Sequence, residues 1–191
     1  IEGKIIKDVK ILGGKWLKKP PTGIEIIEGE LSKSPLVCEW VKVKGKFIYA
    51  KIGEIFMWNT LGMSGGWRDE KTKHSHLYIE LNGGQRIYFD DVRRFGNISF
   101  YKDFSDISNK LKSAGPDLLN EEVDFQTFKK SLLKRGHKNI CQLLMDQKVL
   151  SGIGNYIKSE SLYRAKVSPH LRASEISEDK LRSLHRWSID I

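Results

Sequence analysis

The chain has 191 residues, of which 39% are apolar, enough for a hydrophobic core in one large domain or two small ones. Its formal net charge of +9 favours a polyanionic partner, although lysine-rich surfaces also serve simply to keep proteins in solution. Its two cysteines, Cys38 and Cys141, lack metal-site spacing, and no apolar run reaches membrane-spanning length. The composition therefore argues against a disulfide framework and a membrane span, and it predicts a reducing compartment.

Residues 1 to about 104 have the composition of β-strands. β-branched and aromatic residues alternate with Gly and Asn turns in five segments, 5–12, 35–52, 54–65, 76–89 and 98–104. The triplet Asn82-Gly83-Gly84 predicts a hairpin turn. Antiparallel sheets of this kind are predicted to pack as a sandwich.

From Asp106 the pattern changes to helices. Gly115-Pro116 ends a first short helix, and Asp124 is placed to cap a second over residues 125–135. Further helices are predicted near residues 140–147, 155–165 and 177–191. We therefore predict an α+β fold, with an antiparallel β-sandwich at residues 1–110 followed by an all-α domain at residues 111–191.

The helical part contains a glycine turn of the kind that binds phosphate. Gly152, Ile153 and Gly154 precede a helix that starts at Asn155, and an uncovered helix N-terminus offers free N–H donors and partial positive charge. Residues 125–191 also hold most of the excess charge, with 13 Lys/Arg against 6 Asp/Glu, whereas residues 1–124 carry 20 and 18. The alternative is a helix start that needs glycine for its geometry only.

Three segments resemble the formamidopyrimidine-DNA glycosylase/endonuclease VIII (Fpg/Nei) family and occur in its order. They are LGMSG at Leu61–Gly65, DDVRRFG at Asp90–Gly96, and QLLMDQKVLSGIGNYIKSESLYRAKVSPH at Gln142–His170. The resemblance covers nearly the whole chain. It implies that residues 111–191 form a helix-two-turn-helix DNA-binding domain and that the protein is a base-excision repair DNA glycosylase with AP lyase activity.

An enzyme that acts on a base takes that base out of the stack, so the gap must be filled. The resemblance implies that Met63, Arg93 and Phe95 enter the duplex, with Arg93 facing the opposite base. Flanking glycines favour this interpretation over the alternative, in which Met63 and Phe95 are core residues beside a surface Arg pair.

The resemblance also implies a set of phosphate contacts. Lys46 would approach the phosphate of the lesion and take part in proton transfer during β-elimination, although a strand-edge lysine is the alternative. His74 and His76 are expected on opposite faces of one strand, which argues against a shared metal, and His74 would touch DNA. The chain departs from the family at Cys141, where a lysine is common. The implied phosphate-binding residues are Lys46, His74, Arg135, Lys138, Ile153, Gly154 and Asn155.

In the family, an N-terminal proline attacks the sugar C1′ and a neighbouring glutamate moves protons. No such Pro-Glu motif occurs in this chain, so we expect both groups upstream of Ile1 and the chain alone to be catalytically weak. No cofactor or metal site is expected within the chain. A C-terminal finger, zinc-bound or zincless, is expected beyond Ile191.

The implied partner is double-stranded DNA with oxidised or abasic sites, bound by a monomer wherever DNA is found, nuclear or cytoplasmic, and without a membrane. Oxidised pyrimidines are slightly favoured by WNTLGMSG and DQKVLSGIGNYI. Two alternatives stay open. One is a non-catalytic paralogue that binds damaged DNA, and the other is a basic RNA-binding protein, which would not prefer damaged DNA over intact RNA.

Overall fold

The structure, a computed structural model, describes all residues from 1 to 191 and separates into two compact units, Ile1–Ser108 and Asn109–Ile191. The α+β prediction is confirmed: the first unit is an antiparallel β structure and the second is helical. The eight strands are β1 (Ile5–Ile11), β2 (Leu36–Lys44), β3 (Phe47–Ile52), β4 (Ile55–Thr60), β5 (Gly65–Arg68), β6 (Ser75–Leu81), β7 (Arg86–Asp91) and β8 (Asn97–Tyr101).

The strands follow the order β5-β7-β6-β1-β2-β3-β4-β8, and every neighbouring pair is antiparallel. Strands β1 and β2 pair over only two positions, so the sheet divides there into two halves. Side chains from both halves, among them Ile6, Phe89, Ile52 and Phe100, belong to one buried cluster. The two halves therefore enclose a common core, as in a sandwich.

The predicted hairpin at Asn82–Gly84 joins β6 to β7, with positive φ at both glycines. A helix that the sequence pattern did not indicate, α1 (Ile24–Leu31), packs Ile24 and Ile27 into the core. It starts at Gly23, which has φ +74° and where a Cβ would come within 2.0 Å of the Phe100 carbonyl oxygen. Glycine is required there by a close backbone approach from β8.

The helical part contains α2 (Ser105–Ser113), α3 (Phe125–Leu133), α4 (Ile140–Met145), α5 (Asn155–Arg164) and α6 (Glu178–Asp190). The Asp124 cap is confirmed, because its carboxylate accepts the Thr127 N–H at 2.7 Å. Phe128, Leu144 and Leu184 are fully buried in the core of the second unit. None of the helices combines the length and the hydropathy that crossing a bilayer demands.

Candidate nucleic-acid interface

The glycine turn before α5 is built as a rigid platform. Gly152 has φ +96°, and Gly154 is the N-cap of α5, with no side chain capping the helix. The Gln147 side chain holds the turn at two points: its Oε1 accepts the Gly152 N–H at 3.1 Å and its Nε2 donates to the Ile153 carbonyl at 2.9 Å. The Ile153 side chain is fully buried and anchors the turn in the core. The Gly152 N–H is thus already used, and the donors that face outward are the first amides of α5.

Asn155, the first residue of α5, is exposed and accepts a 2.7 Å hydrogen bond from Lys158 Nζ at its side-chain oxygen. The ammonium of Lys158 therefore lies beside the helix N-terminus and adds a full positive charge to its partial one. Sequence reasoning did not select Lys158. Its position three residues after Asn155, on the same helix face, was the available signal.

In the β unit, the segments Leu61–Gly65 and Asp91–Gly96 form two neighbouring loops, called here the Met63 loop and the Arg93 loop. The Met63 side chain is 67% exposed and that of Phe95 is 63% exposed, so neither lies in the core. The Arg93 guanidinium donates to the Met63 sulfur at 3.2 Å. Met63, Phe95 and Arg93 therefore project into solvent from adjacent loops, which is the arrangement that a duplex-entering set requires.

The two loops are fastened by the buried carboxylate of Asp91. Its Oδ1 accepts from Ser64 Oγ at 2.6 Å, and its Oδ2 accepts from the Gly96 N–H at 2.7 Å. Ser64 Oγ accepts the Arg93 N–H at 2.9 Å. Burial pushes the pKa of Asp91 upward, but these hydrogen bonds, with those from the amides of Arg93 and Arg94, outweigh it and leave the pKa below its ordinary value.

Close backbone packing reinforces the same junction. A Cβ on Gly62, which has φ +67°, would come within 2.7 Å of the Gly96 nitrogen. Lys15 Nζ donates to the Gly96 carbonyl at 2.7 Å from outside both loops. Arg94 has φ +60°, a conformation that is costly for a residue with a side chain. The loop that carries Arg93 and Phe95 is therefore held in one fixed shape.

The two histidines differ from expectation. The predicted placement of His74 and His76 on opposite faces of one strand is wrong for two reasons. Residues two positions apart on a strand point to the same face, and His74 lies in the turn before β6 and not on the strand. The strand begins only at Ser75, because Ser75 and Thr72 turn inward to the Asp90 carboxylate at 2.5 and 2.6 Å. His76 is buried, and its Nε2 donates to the Asp91 carbonyl at 2.8 Å. His74 remains half-exposed, and its own carbonyl accepts the Asp91 N–H.

Lys46 lies in the two-residue turn between β2 and β3, after Gly45 with φ +55°. The residue is exposed as a whole, but the protein around its ammonium displaces water and lowers the pKa of Lys46. A partly desolvated cation gains more from an anionic partner than a fully hydrated one does.

The basic residues before α4 differ in whether a carboxylate already pairs with them. Arg135 donates to the Asp146 carboxylate at 2.9 Å and is thus already paired. Lys138 is exposed, and its main chain joins neighbouring turns. Cys141, half-buried in α4, lies with its sulfur 3.4 Å from the Pro169 carbonyl and brings no positive charge to the position.

Sequence reasoning missed the residues that hold the site together, above all Asp91, Ser64 and Gln147. Asp91 had one usable signal, a carboxylate at the end of a strand and two positions before the Arg pair. Ser64 and Gln147 had none beyond their place inside the motifs. The structure contains no group of three or more His, Cys, Asp or Glu side chains able to hold a metal ion.

Comparison with known proteins covers both units. Residues 1–98 match the family model for the formamidopyrimidine-DNA glycosylase N-terminal domain, and residues 114–191 match that for the formamidopyrimidine-DNA glycosylase H2TH domain. Among curated relatives, the formamidopyrimidine-DNA glycosylase of Enterococcus faecalis is 27% identical over 197 residues, which covers 100% of this chain and 69% of that protein. The Thermus thermophilus protein of the same name is 36% identical over 146 residues, covering 75% of this chain and 54% of that protein.

Two crystal structures of Lactococcus lactis formamidopyrimidine-DNA glycosylase have the same fold. One is bound non-covalently to DNA containing an AP site, and the other is a complex with DNA containing an oxidised pyrimidine. Each aligns with a TM-score of 0.82 at 25% identity over 100% of this chain, which corresponds to 72% and 71% of the solved chains. The chain thus matches a large part, and not the whole, of each relative.

Proposed function

The chain belongs to the formamidopyrimidine-DNA glycosylase family, and we propose that it is the damage-binding part of a base-excision repair DNA glycosylase with AP lyase activity. The observation that carries this proposal is the pair of locked loops, from which Met63, Arg93 and Phe95 project into solvent. Large apolar side chains that are exposed next to each other on adjacent fixed loops form a patch of the kind that a binding partner covers.

The partner with the matching chemistry is a duplex with a base missing or displaced. Unstacking a base costs a few kcal/mol, and apolar side chains that enter the gap recover part of that cost. Arg93 brings hydrogen-bond donors that suit the edge of the unpaired opposite base. Since the two loops are fastened before DNA arrives, little ordering entropy is lost when they enter.

The phosphate contacts follow from the helical unit and the β2–β3 turn. The outward amides of α5 at Gly154 and Asn155, with Lys158 beside them, form an anion site at a helix N-terminus. Ile153 contributes its buried side chain as an anchor for this turn. Lys46, His74 and Lys138 are proposed as further backbone contacts, and Arg135 joins them only by exchanging Asp146 for a phosphate.

For the lesion, we propose oxidised bases, with oxidised pyrimidines included, because the L. lactis relative binds DNA that contains one. The lyase step would remove a proton from C2′ of the opened sugar and expel the 3′ phosphate, and Lys46 is proposed to approach the lesion phosphate and to assist this proton transfer. The residues of this chain are proposed to bind the duplex, to evert the damaged base and to position the lesion. None of them is assigned as the nucleophile.

The test is a competition between two duplexes that differ only in one abasic analogue, at fixed salt. We expect this chain to prefer the abasic duplex by about ten- to a hundredfold, because the unstacking cost is already absent there. Equal affinity for the two duplexes would refute the proposal. Intact RNA of the same length serves as a third competitor and tests the RNA-binding alternative.

A further inference from the structure

A second concentration of positive charge lies outside the site described above. The ends of α2 and α3 and the turn at Lys148 enclose an open groove of 340 Å³, called here the basic groove. Four cationic side chains line it, and the main chain of residues 113–116 forms one wall. The four are Lys112, Lys134, Arg135 and Lys148.

No carboxylate lines the basic groove. Asp146 forms an ion pair with Arg135 and accepts the main-chain N–H of Lys148 at 3.0 Å. The stretch between Asp124 and Asp146 contains five Lys or Arg and no Asp or Glu. Lys112, Lys134 and Lys148 are exposed and have no carboxylate partner among the ion pairs of the structure. Apart from Arg135, which pairs with Asp146, the cations of the groove therefore concentrate positive potential that no ion pair neutralises.

The walls of the groove are fixed by main-chain contacts. The Gly115 N–H donates to the Gln147 carbonyl at 2.9 Å, and the Ser151 N–H donates to the Pro116 carbonyl at 2.9 Å. A Cβ on Gly115 would lie 2.4 Å from the Val149 carbonyl oxygen, so only glycine permits this approach. The groove is thus formed in advance and does not need a ligand to shape it.

Gln147 connects the basic groove to the glycine turn before α5. Its main-chain carbonyl holds Gly115 in the groove wall, and its side chain holds Gly152 and Ile153 in the turn. Only three residues separate Lys148 from Gly152. The shared contacts of Gln147 therefore place the basic groove next to the glycine turn within this unit.

We propose that the basic groove binds the sugar-phosphate backbone of the same duplex beyond the lesion, as a second and sequence-independent contact. This inference rests on the proposed function, because that function supplies the strand at the glycine turn. It assigns Lys112, Lys134 and Lys148 to backbone contacts with the duplex that are additional to those of the glycine turn and the two loops.

The competing explanation is structural. Lys112 lies in the last turn of α2 and Lys134 is the C-cap of α3, and cations at helix C-termini stabilise the helix dipole. That explanation predicts a lower free energy of unfolding when the lysines are removed, with DNA affinity unchanged. The structural explanation therefore predicts a change in the free energy of unfolding, whereas the proposal predicts a change in DNA affinity.

The experiment compares this chain with its triple variant Lys112→Gln/Lys134→Gln/Lys148→Gln. Affinity is measured across a salt series for abasic duplexes of about one and about three helical turns. The variant should lose affinity for the long duplex, with the slope of log K against log salt flatter by about 2 to 3, since each phosphate contact contributes roughly 0.9. Affinity for the short duplex should change little, and the preference for abasic over intact DNA should persist.

The matched control is Lys4→Gln/Lys18→Gln/Lys19→Gln, which removes the same charge from exposed lysines of the β unit. If the control flattens the slope as much as the groove variant, or if the groove variant binds the long duplex like the parent chain, the proposal is overturned. Failure of the proposed function would appear separately, as a parent chain that does not distinguish abasic from intact duplex.

Discussion

The Asp91 carboxylate binds Ser64, a residue of the other loop, through a 2.6 Å hydrogen bond from Ser64 Oγ to Asp91 Oδ1. These residues are 27 positions apart in the sequence. Because Ser64 follows Met63 and also accepts the Arg93 N–H, this one contact sets the position of Met63 against Arg93. The two loops act as one rigid unit, and the loss of Asp91 should uncouple them.

Replacement Asp91→Asn tests that coupling. An amide cannot accept from both Ser64 and Gly96, so one buried donor loses its acceptor, at a cost of about 1–3 kcal/mol in the free energy of unfolding. We expect the preference for abasic over intact duplex to fall about tenfold while affinity for intact duplex stays the same. Competition binding and urea unfolding measure the two effects.

Asp90→Asn is the matched control on the neighbouring position. Asp90 is also buried, and its carboxylate accepts from Thr72 and Ser75, which lie outside both loops. This variant should be destabilised to a similar extent and should keep its preference for abasic DNA. Equal loss of preference in both variants would show that general destabilisation, and not the coupling of the loops, is responsible.

Protonation of Asp91 at low pH should weaken its hydrogen bonds to Ser64 and Gly96. The pKa of Asp91 in the folded chain lies below its ordinary value, because hydrogen bonding outweighs burial. Its stabilisation is therefore complete above the unfolded pKa of about 3.9 and is lost as the pH falls through the lower folded pKa. The difference in free energy of unfolding between the parent chain and Asp91→Asn should hold constant near neutrality and shrink in strong acid. A difference that does not change with pH would contradict this assignment.

Removing the exposed apolar pair should separate recognition from stability. Met63→Ala/Phe95→Ala takes away side chains that are 67% and 63% exposed, so the free energy of unfolding should change by no more than about 0.5 kcal/mol per site. Preference for the abasic duplex should fall about tenfold or more, because nothing fills the gap. Leu17→Ala, at a residue 68% exposed and outside both loops, is the control. Retained preference in the double variant would remove the main support for the proposed function.

The parts of this structure that the sequence predicted are those encoded locally. Asp124 caps α3 through a residue three positions away. The Asn82–Gly84 turn needs positive φ angles, and its own two glycines supply them. Helix α1 was missed because Gly23 is required by the close approach of the Phe100 carbonyl, a contact that no short sequence pattern reveals. The same holds for Asp91 and Ser64. Motifs identified the residues that face outward, and the buried contacts that hold them appear only in three dimensions.

Deprotonation of Lys46 should weaken DNA binding at alkaline pH. Because desolvation lowers its pKa, the ammonium loses its proton below the usual lysine value of about 10.4 as the pH rises. Affinity for the abasic duplex should therefore start to decline below that pH in the parent chain. In Lys46→Arg the guanidinium stays charged, so the decline should move to higher pH. Lys44→Arg on the same hairpin is the control, and an identical pH profile for both variants would remove Lys46 from the set of phosphate contacts.

Asn155→Asp should move stability and affinity in opposite directions. A carboxylate at the first position of α5 would favour the helix dipole by about 0.3–1 kcal/mol and would turn the 2.7 Å contact with Lys158 into an ion pair. The same negative charge would repel a phosphate at the outward amides, so DNA affinity should fall more than in Asn155→Ala. Asn155→Ala loses a donor and the Lys158 contact but adds no charge. Urea unfolding should rank the variants Asp above Ala, and binding at low salt should rank them Ala above Asp. If Asn155→Asp binds the abasic duplex as tightly as the parent chain, no phosphate lies at this helix end. A desolvated phosphate there would be repelled by the added carboxylate, and affinity would fall.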